Sequence, residues 1–318
     1  IEGENPTTMA KSSGLAVIEL TTIFSNLKPD VVLTIADRYE TLPIAMSAVY
    51  MNIPLAHTQG GEVTGSIDES VRHATTKLAH IHFPATKKAA KNIARLGEDP
   101  KNIFLTGCPS IDLIKGEDLK INKKFVEKYT PAGVGSNLDF SKKYIVVLQH
   151  PVTTEYGSGL KQINETIKAI KDLNIQVAWL WPNVDAGSDT ISKGLRAFRE
   201  SKKAKNIQFF KNFEPGDYLK LINNCSCIVG NSSSALREGA YLGIPAVSIG
   251  TRQQNREHGK NVIAVSHDAK KIKLAILSRI KSKRFKSEKI YGKGDAGMKI
   301  AKILSNVKVK IQKKLNYK

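Results

Sequence analysis

Several stretches of this chain bring together residue types that can do chemistry. Gly230-Asn231-Ser232-Ser233-Ser234-Ala235-Leu236-Arg237-Glu238-Gly239-Ala240 follows a strand-like run, Ser226 to Val229, and precedes an apolar-periodic helix, Leu236 to Leu242. A glycine turn with small hydroxyl residues at a helix start offers backbone N–H groups, hydroxyl donors and the positive end of a dipole to an anion. The next strand, Ile244 to Ile249, delivers Gly250-Thr251-Arg252, a fixed cation close to the same place. The pair reads as a diphosphate-binding site; a serine-capped junction with an arginine in a loop is the structural alternative. Carboxylates and imidazoles gather elsewhere, in Ala36-Asp37-Arg38-Tyr39-Glu40, in the run from His57 through Gln59 and Glu62 to Asp68 and Glu69, and in Gln149-His150-Pro151.

Those residues need elements to position them. Val31 to Ile35, Ile53 to His57 and Ile103 to Thr106 read as strands, with helices at about Glu40 to Met51, Ile67 to Ala79 and up to Leu96. A polar stretch from about Lys115 to Lys142 follows, and its Pro131-Ala132-Gly133-Val134-Gly135-Ser136 centre marks an inter-domain connection. The pattern then restarts with strands at Tyr144 to Leu148, Val177 to Trp181, Ile207 to Phe210, Cys227 to Val229 and Ala246 to Ile249. Strand–helix alternation implies an α/β fold with parallel sheets and right-handed crossovers. Two such sheets imply a cleft, with ligands at the carboxyl ends of the strands. The polar clusters all fall in loops after strands, which suits an enzyme that grips a diphosphate with one domain and works on a sugar with the other.

Several of these residues also have purely structural readings. Ser66 and Glu69 have capping-box spacing, which puts Asp68 in a first helical turn where the dipole favours a carboxylate. Asp37 could cap the helix from Glu40. His80 and His82 flank a strand and read as packing residues, His57 at a strand end is undecided, and Cys225 and Cys227 look like buried strand residues. No metal-ligand spacing is present, and the three cysteines make no disulfide framework.

Composition bounds the class. At 318 residues, with 41% hydrophobic and 25% charged residues, the chain suits a two-domain globular protein. No apolar run approaches the roughly 20 residues needed to span a bilayer, and the first residues are polar and acidic, unlike a signal peptide. A reducing cytoplasm fits. The net charge of +20 is spread over helix faces (Lys87, Lys88, Lys91; Lys161, Lys168, Lys171) and concentrated towards the C-terminus. With 7% aromatics and no nucleic-acid motif, a solvated surface that attracts anionic substrates is the better account than a nucleic-acid partner.

Taken together, Ala36-Asp37-Arg38-Tyr39-Glu40, Gly60-Gly61-Glu62-Val63-Thr64-Gly65-Ser66-Ile67-Asp68, Val71-Arg72-His73-Ala74, Gly107-Cys108-Pro109-Ser110, Leu148-Gln149-His150-Pro151, Pro182-Asn183-Val184-Asp185-Ala186-Gly187-Ser188, Gly230-Asn231-Ser232-Ser233 and Gly250-Thr251-Arg252-Gln253 resemble the hydrolysing UDP-N-acetylglucosamine 2-epimerases of sialic acid biosynthesis. They stand in the family's order and cover almost the whole chain. The resemblance implies two Rossmann-like domains of GT-B type with the active site in the cleft between them. The domains would be residues 1–142 and 143–294, with 295–318 crossing back to the first as a helix from Ala296 to Val307. It implies removal of the C2 proton of a nucleotide-linked 2-acetamido sugar, loss of the nucleoside diphosphate from C1, and addition of water to release the C2-inverted sugar. No cofactor and no metal are implied; the partners are a nucleotide-sugar and further copies of the chain, as a homodimer or homotetramer.

Residue by residue, the resemblance implies active-site carboxylates at Asp37 and Asp68 and a histidine near the sugar–diphosphate at His150, with Glu62 a further candidate for the base. It assigns nucleotide, diphosphate or sugar binding to Arg38, Asn183, Ser232, Ser233, Glu238 and Arg252; Gln59 and His57 are the candidate sugar contacts. Gln59 departs from the glutamate of the sialic acid enzymes, and an amide cannot be a general base. His57-Thr58-Gln59-Gly60-Gly61-Glu62 looks instead like the legionaminic acid branch, which acts on nucleotide-linked 2,4-diacetamido-2,4,6-trideoxyglucose. By the same resemblance, Ile1 to Leu20 matches a helix already inside the first domain, with two strand–helix units, on the order of 60 residues, expected before it. A catalytically silent nucleotide-sugar binding protein and a basic nucleic-acid-binding protein are the competing classes.

Overall fold

The computed structural model describes residues 1–201 and 203–316. The chain divides into two compact units, Ile1–Asp112 with Tyr291–Lys318, and Leu113–Ile290.

The first unit runs α1 (Pro6–Leu27), β1 (Val32–Ile35), α2 (Thr41–Tyr50), β2 (Leu55–Thr58), α3 (Asp68–Leu78), β3 (Ile81–Phe83) and α4 (Lys87–Arg95), and the boundary between the units falls within α5 (Pro109–Gly116), after Asp112. Asn5 and Thr8 start α1 with a reciprocal capping box, and Pro6 fits the first turn, where no N–H partner is needed. The three strands pair in the order β1-β2-β3, all parallel. One face packs on α1 and α2 through Phe24, Ala45, Ala48 and Leu55. The other, with Ala56, Ile81 and Phe83, packs on Ile300 and the residues around Val307.

The second unit runs α6 (Lys123–Tyr129), β4 (Val134–Gly135), β5 (Tyr144–Leu148), α7 (Gly159–Ile170), β6 (Gln176–Leu180), α8 (Ser188–Glu200), β7 (Ile207–Phe210), α9 (Pro215–Asn224), β8 (Cys227–Gly230), α10 (Glu238–Leu242), β9 (Ala246–Ile249), β10 (Val262–Val265) and α11 (Ala269–Lys281). Helix α12 (Ala296–Leu304) belongs to the first unit. The sheet order is β10-β9-β8-β5-β6-β7-β4, parallel except for β4 against β7. Strand β5, Tyr-Ile-Val-Val-Leu, is buried along its whole length, as a central parallel strand covered on both faces must be. The chain leaves β5 in one direction and returns at β8 to continue in the other, so the topological switch point lies between those two strands.

Three expectations change here. Ile103 to Thr106 is not a strand: Ile103 makes a single bridge to His82, and the third strand of the first sheet is Ile81–Phe83. The Pro131–Ser136 run is not a connection between domains: its Val134 and Gly135 pair with Phe209 and Gln208 as the edge of the second sheet. Ahead of it, Phe125 and Tyr129 of α6 stack on Phe213 at 6.1 and 4.3 Å. Residues 113–142 therefore belong to the second unit, and the chain returns to the first at Tyr291 rather than at residue 295. The helix expected from Leu236 is also shorter. Ser233–Ala235 form a 3₁₀ turn, and the α-helix begins at Glu238.

Candidate active site

In the first unit the polar residues collect at the carboxyl ends of β1 and β2. The chain leaves β1 at Ala36 with φ of 59°, a left-handed conformation for a residue with a side chain. His57 holds this turn. Its Nε2 lies 2.7 Å from the Ala36 carbonyl and its Nδ1 lies 3.2 Å from the Thr76 hydroxyl. A carbonyl only accepts, so the ring hydrogen sits on Nε2 and Nδ1 accepts from Thr76. Burial brings the His57 pKa down to about 4, which leaves the ring neutral.

Asp37, the next residue, forms an ion pair with Arg72. The Arg72 side chain is wholly buried, and it donates also to the Glu62 carbonyl at 2.7 Å and to Thr64 Oγ1 at 3.3 Å. One guanidinium thus ties the loop after β1 to the loop after β2. Arg72 stands four residues after Asp68 and four before Thr76, so α3 presents all three on one stripe. Asp68 opens the helix, where its Oδ2 accepts from Ser66 Oγ at 2.7 Å. The expected capping box is replaced: Glu69 accepts from the Thr64 amide at 2.9 Å, and the cap position is Ile67. Gly61 explains the glycines of this loop, because at its φ of 75° an added Cβ would come within 2.2 Å of the Ala89 carbonyl oxygen. Gln59 also has a positive φ, 59°, and is 5% exposed; its Oε1 has no hydrogen-bond partner among the described residues.

In the second unit the polar residues meet at the switch point. At Gly230 φ is 132° and an added Cβ would sit 1.9 Å from the Leu148 carbonyl oxygen, so only glycine lets β8 approach β5 this closely. Asn231 then bonds both backbone groups of His150, accepting from its N–H at 2.7 Å and donating to its carbonyl at 2.9 Å. The His150 ring accepts the Asn183 backbone N–H at Nδ1, 3.0 Å away. Its neutral form therefore carries hydrogen on Nε2 and serves as a donor, suited to an anionic oxygen. Arg252 lies 3.5 Å from Asp185 and donates to the Asn231 carbonyl at 3.4 Å, while Gln253 donates to the same carbonyl at 2.9 Å. Ser232 Oγ, Ser234 Oγ and the Tyr218 hydroxyl form a chain with steps of 3.1 and 2.6 Å. Burial raises the Tyr218 pKa, so the phenol keeps its proton. Glu238 follows in sequence, half-buried at the start of α10.

A family model described as UDP-N-acetylglucosamine 2-epimerase matches residues 1–305. The chain belongs to the UDP-N-acetylglucosamine 2-epimerase family. It is 31% identical over 299 residues to the UDP-N,N'-diacetylbacillosamine 2-epimerase (hydrolyzing) of Legionella pneumophila, covering 94% of this chain and 77% of that one. The GDP/UDP-N,N'-diacetylbacillosamine 2-epimerase (hydrolyzing) of Campylobacter jejuni is 31% identical over 265 residues, with 83% and 67% covered. A crystal structure of the UDP-GlcNAc 2-epimerase of Methanocaldococcus jannaschii, in complex with UDP-GlcNAc and UDP, superposes with a TM-score of 0.79 at 20% identity, over 93% of this chain and 81% of that one. The α/β fold with two Rossmann-like units is thus the GT-B-like fold of this epimerase family, a family of enzymes acting on nucleotide-sugars.

Of the expected residues, this epimerase-family chain gathers Asp37, Gln59, Glu62 and Asp68 in the loops after β1 and β2, and His150, Asn183, Ser232, Ser233, Glu238 and Arg252 around the second unit's switch point. His57 is a correction. Fully buried and bonded through both ring nitrogens, it shapes the Ala36 turn instead of touching a sugar. Arg38 belongs to the first unit, where it pairs with Glu40 at 3.0 Å on the surface. Glu62 is 4% exposed, and its backbone carbonyl is what Arg72 grips. Asn183 acts on His150 through its main chain. Arg72, Thr76 and Asn231 carry the geometry without having been given a role from sequence. The spacing of Asp68, Arg72 and Thr76 was the available signal for the first two.

Proposed function

We propose that this chain is a hydrolysing 2-epimerase for a nucleotide-linked 2,4-diacetamido-2,4,6-trideoxyglucose. A carboxylate takes the C2 proton, and the C2–H electron pair becomes the C1=C2 bond. The C1–O bond breaks, and its electrons leave on the nucleoside diphosphate. Water then adds across the double bond: hydroxyl goes to C1 and a proton to the opposite face of C2, giving free 2,4-diacetamido-2,4,6-trideoxymannose. Asp37, fixed by Arg72, and Asp68, held by Ser66, are the groups we assign to the two proton transfers. His150 Nε2–H, Arg252 and the serine turn are assigned to the departing diphosphate.

The observation that carries the choice of sugar is Gln59. It cannot act as a base, and it keeps a buried amide oxygen without a partner among the described residues, a state that costs roughly 1–3 kcal/mol. The N–H of a second acetamido group is a fitting partner for that oxygen, which plain N-acetylglucosamine lacks at C4. The names of the two 31%-identical relatives point to the same sugar.

The test is nucleoside diphosphate release from UDP- and GDP-linked diacetamido-trideoxyglucose beside UDP-N-acetylglucosamine, run in D2O with mass detection of the free sugar. Singly deuterated diacetamido-trideoxymannose is the expected product, and the nucleotide that supports it identifies the carrier. Deuterated N-acetylmannosamine as the faster product would overturn the sugar assignment. Binding without release would make the chain a nucleotide-sugar binder.

A further inference from the structure

The residues that follow α12 do more than cover the sheet of the first unit. Lys313 places its ammonium against three acceptors: Glu98 at 2.7 Å, the Lys77 carbonyl at 2.7 Å, and the Ala79 carbonyl. The two carbonyls lie at the C-terminal end of α3, where helix carbonyls lack internal partners and a cation is favoured. Glu98, itself almost wholly buried, gathers Lys77 at 2.5 Å, His82 at 3.0 Å and Lys313. His80 extends the clasp. Its Nδ1 accepts from the Leu55 amide at 3.1 Å, so Nε2 carries the hydrogen and donates to the Ile311 carbonyl at 3.0 Å. The Asn316 amide donates to the Gly97 carbonyl at 2.9 Å.

Helix α3 is the element that holds Asp37 from two sides. Arg72 grips the carboxylate, and Thr76 orients His57, which bonds the carbonyl of Ala36, the residue just before Asp37. Thr76 lies in the turn whose end Lys313 caps.

We propose that Lys313 is a positioning residue for Asp37, acting through the C-terminal turn of α3 and the Thr76–His57–Ala36 chain. This rests on the reading of Asp37 as a reacting carboxylate. It gives residues far along the chain from either candidate site a role in the rate of the chemistry, and it assigns the contact to a salt-linked clasp instead of apolar packing alone.

The experiment compares Lys313→Met, Lys313→Arg and the parent. Amide hydrogen exchange reads the coupling without any substrate. Lys313→Met is expected to raise exchange about tenfold, both at Ala79 and at Ala36, whose N–H bonds the Thr58 carbonyl at 3.0 Å. A rise confined to the end of α3 overturns the proposal. Turnover on the diacetamido substrate reads the consequence: kcat is expected to fall roughly tenfold with KM within twofold, since small misplacements of a reacting group are costly. Lys313→Arg, which keeps the charge and donors, is expected to restore most of it. Unchanged kcat in Lys313→Met, with or without a lower Tm, also overturns the proposal. Should Lys313→Met not fold, Lys313→Gln, which keeps an amide donor, is read by the same outcomes. Asp37→Asn separates the two readings: if it turns over normally, the site assignment fails whatever Lys313 does, and the exchange result still judges the clasp.

Discussion

The two candidate sites are built by opposite means. In the first unit a buried charge does the fixing: Arg72 binds a carboxylate, a carbonyl and a hydroxyl from two loops at once. In the second unit neutral amides do it: Asn231 clamps the backbone of His150, and Gln253 clamps that of Asn231. The contrast matches the tasks assigned to them. A carboxylate that exchanges a proton with carbon must be held at one place and in one orientation, and a guanidinium locked on a helix does that. A site that receives a diphosphate needs donors aimed outward, so its frame is held by groups that add no charge of their own, and Arg252 keeps Asp185 as its single ion-pair partner among the described residues.

The largest expected effect breaks the comparison at its centre. Asp37→Asn keeps the shape of the side chain and removes its basicity, and kcat is expected to fall by roughly 10³-fold. Binding of the nucleoside diphosphate, measured by calorimetry, should change little, because the groups proposed to bind the anion belong to the other unit. Near-normal turnover would remove Asp37 from the mechanism.

Arg72→Met comes next. It leaves Asp37, the Glu62 carbonyl and the Thr64 hydroxyl without their shared donor, so it acts on stability as well as on rate. The expected losses are about 3 kcal/mol in urea unfolding and on the order of 10²-fold in kcat, with KM nearly unchanged. Loss of stability with intact kcat in the folded fraction would mean that Arg72 is a strut only.

Arg252→Met should show the opposite split. Loss of one charge-assisted contact to the diphosphate corresponds to roughly 2 kcal/mol, or about 30-fold in KM and in nucleoside diphosphate affinity. The rate of the deuterium-incorporating step at saturation should fall much less. If Arg252→Met instead lowers kcat and leaves KM alone, the division between a gripping unit and a reacting unit fails.

The two units were also unequally legible in the sequence. The apolar run Tyr144–Leu148 announced a central strand to the residue, because a strand buried on both faces favours apolar side chains at every position. Ile207–Phe210 was legible too, although its buried Gln208 interrupts the run and is satisfied by the Leu138 N–H and the Thr130 carbonyl. Val134 and Gly135 did not, since an exposed two-residue edge strand has no pattern and its glycine reads as a turn. Strand β10, Val-Ile-Ala-Val, was missed beside a polar run because it is only four residues long, with Val262 buried and Ala264 exposed. Asp37 and Asp68 were visible as carboxylates in loops after strands. The role of His57 was not, because its partners are a carbonyl 21 residues before it and a hydroxyl 19 residues after it. Main-chain contacts such as Asn183 to His150 leave no mark on residue type at all.

The smallest effect sharpens the comparison through pH. The folded pKa of His57, about 4, lies below the ordinary 6.5, so between those values the unfolded chain binds more protons than the folded one. Stability from this group is therefore fully present above about pH 6.5, is lost as the pH falls towards 4, and is flat below. The full loss is about 3 kcal/mol. Burial lowers His80 and His82 of the same unit as well, so the parent should carry the same sign of slope from several rings. Glu98, held down to about 2 by His82, Lys313 and Lys77 against the cost of its own burial, loses its contribution only at more acid pH, from about 4.5 downwards. His57→Gln, whose amide can still donate to Ala36, isolates the single ring. Its unfolding free energy should be flatter than the parent's between pH 6.5 and 4 and parallel to it below. An unchanged acid slope in His57→Gln would show that the ring accepts a proton without leaving its pocket, and the neutral tautomer assigned to it would have to be given up.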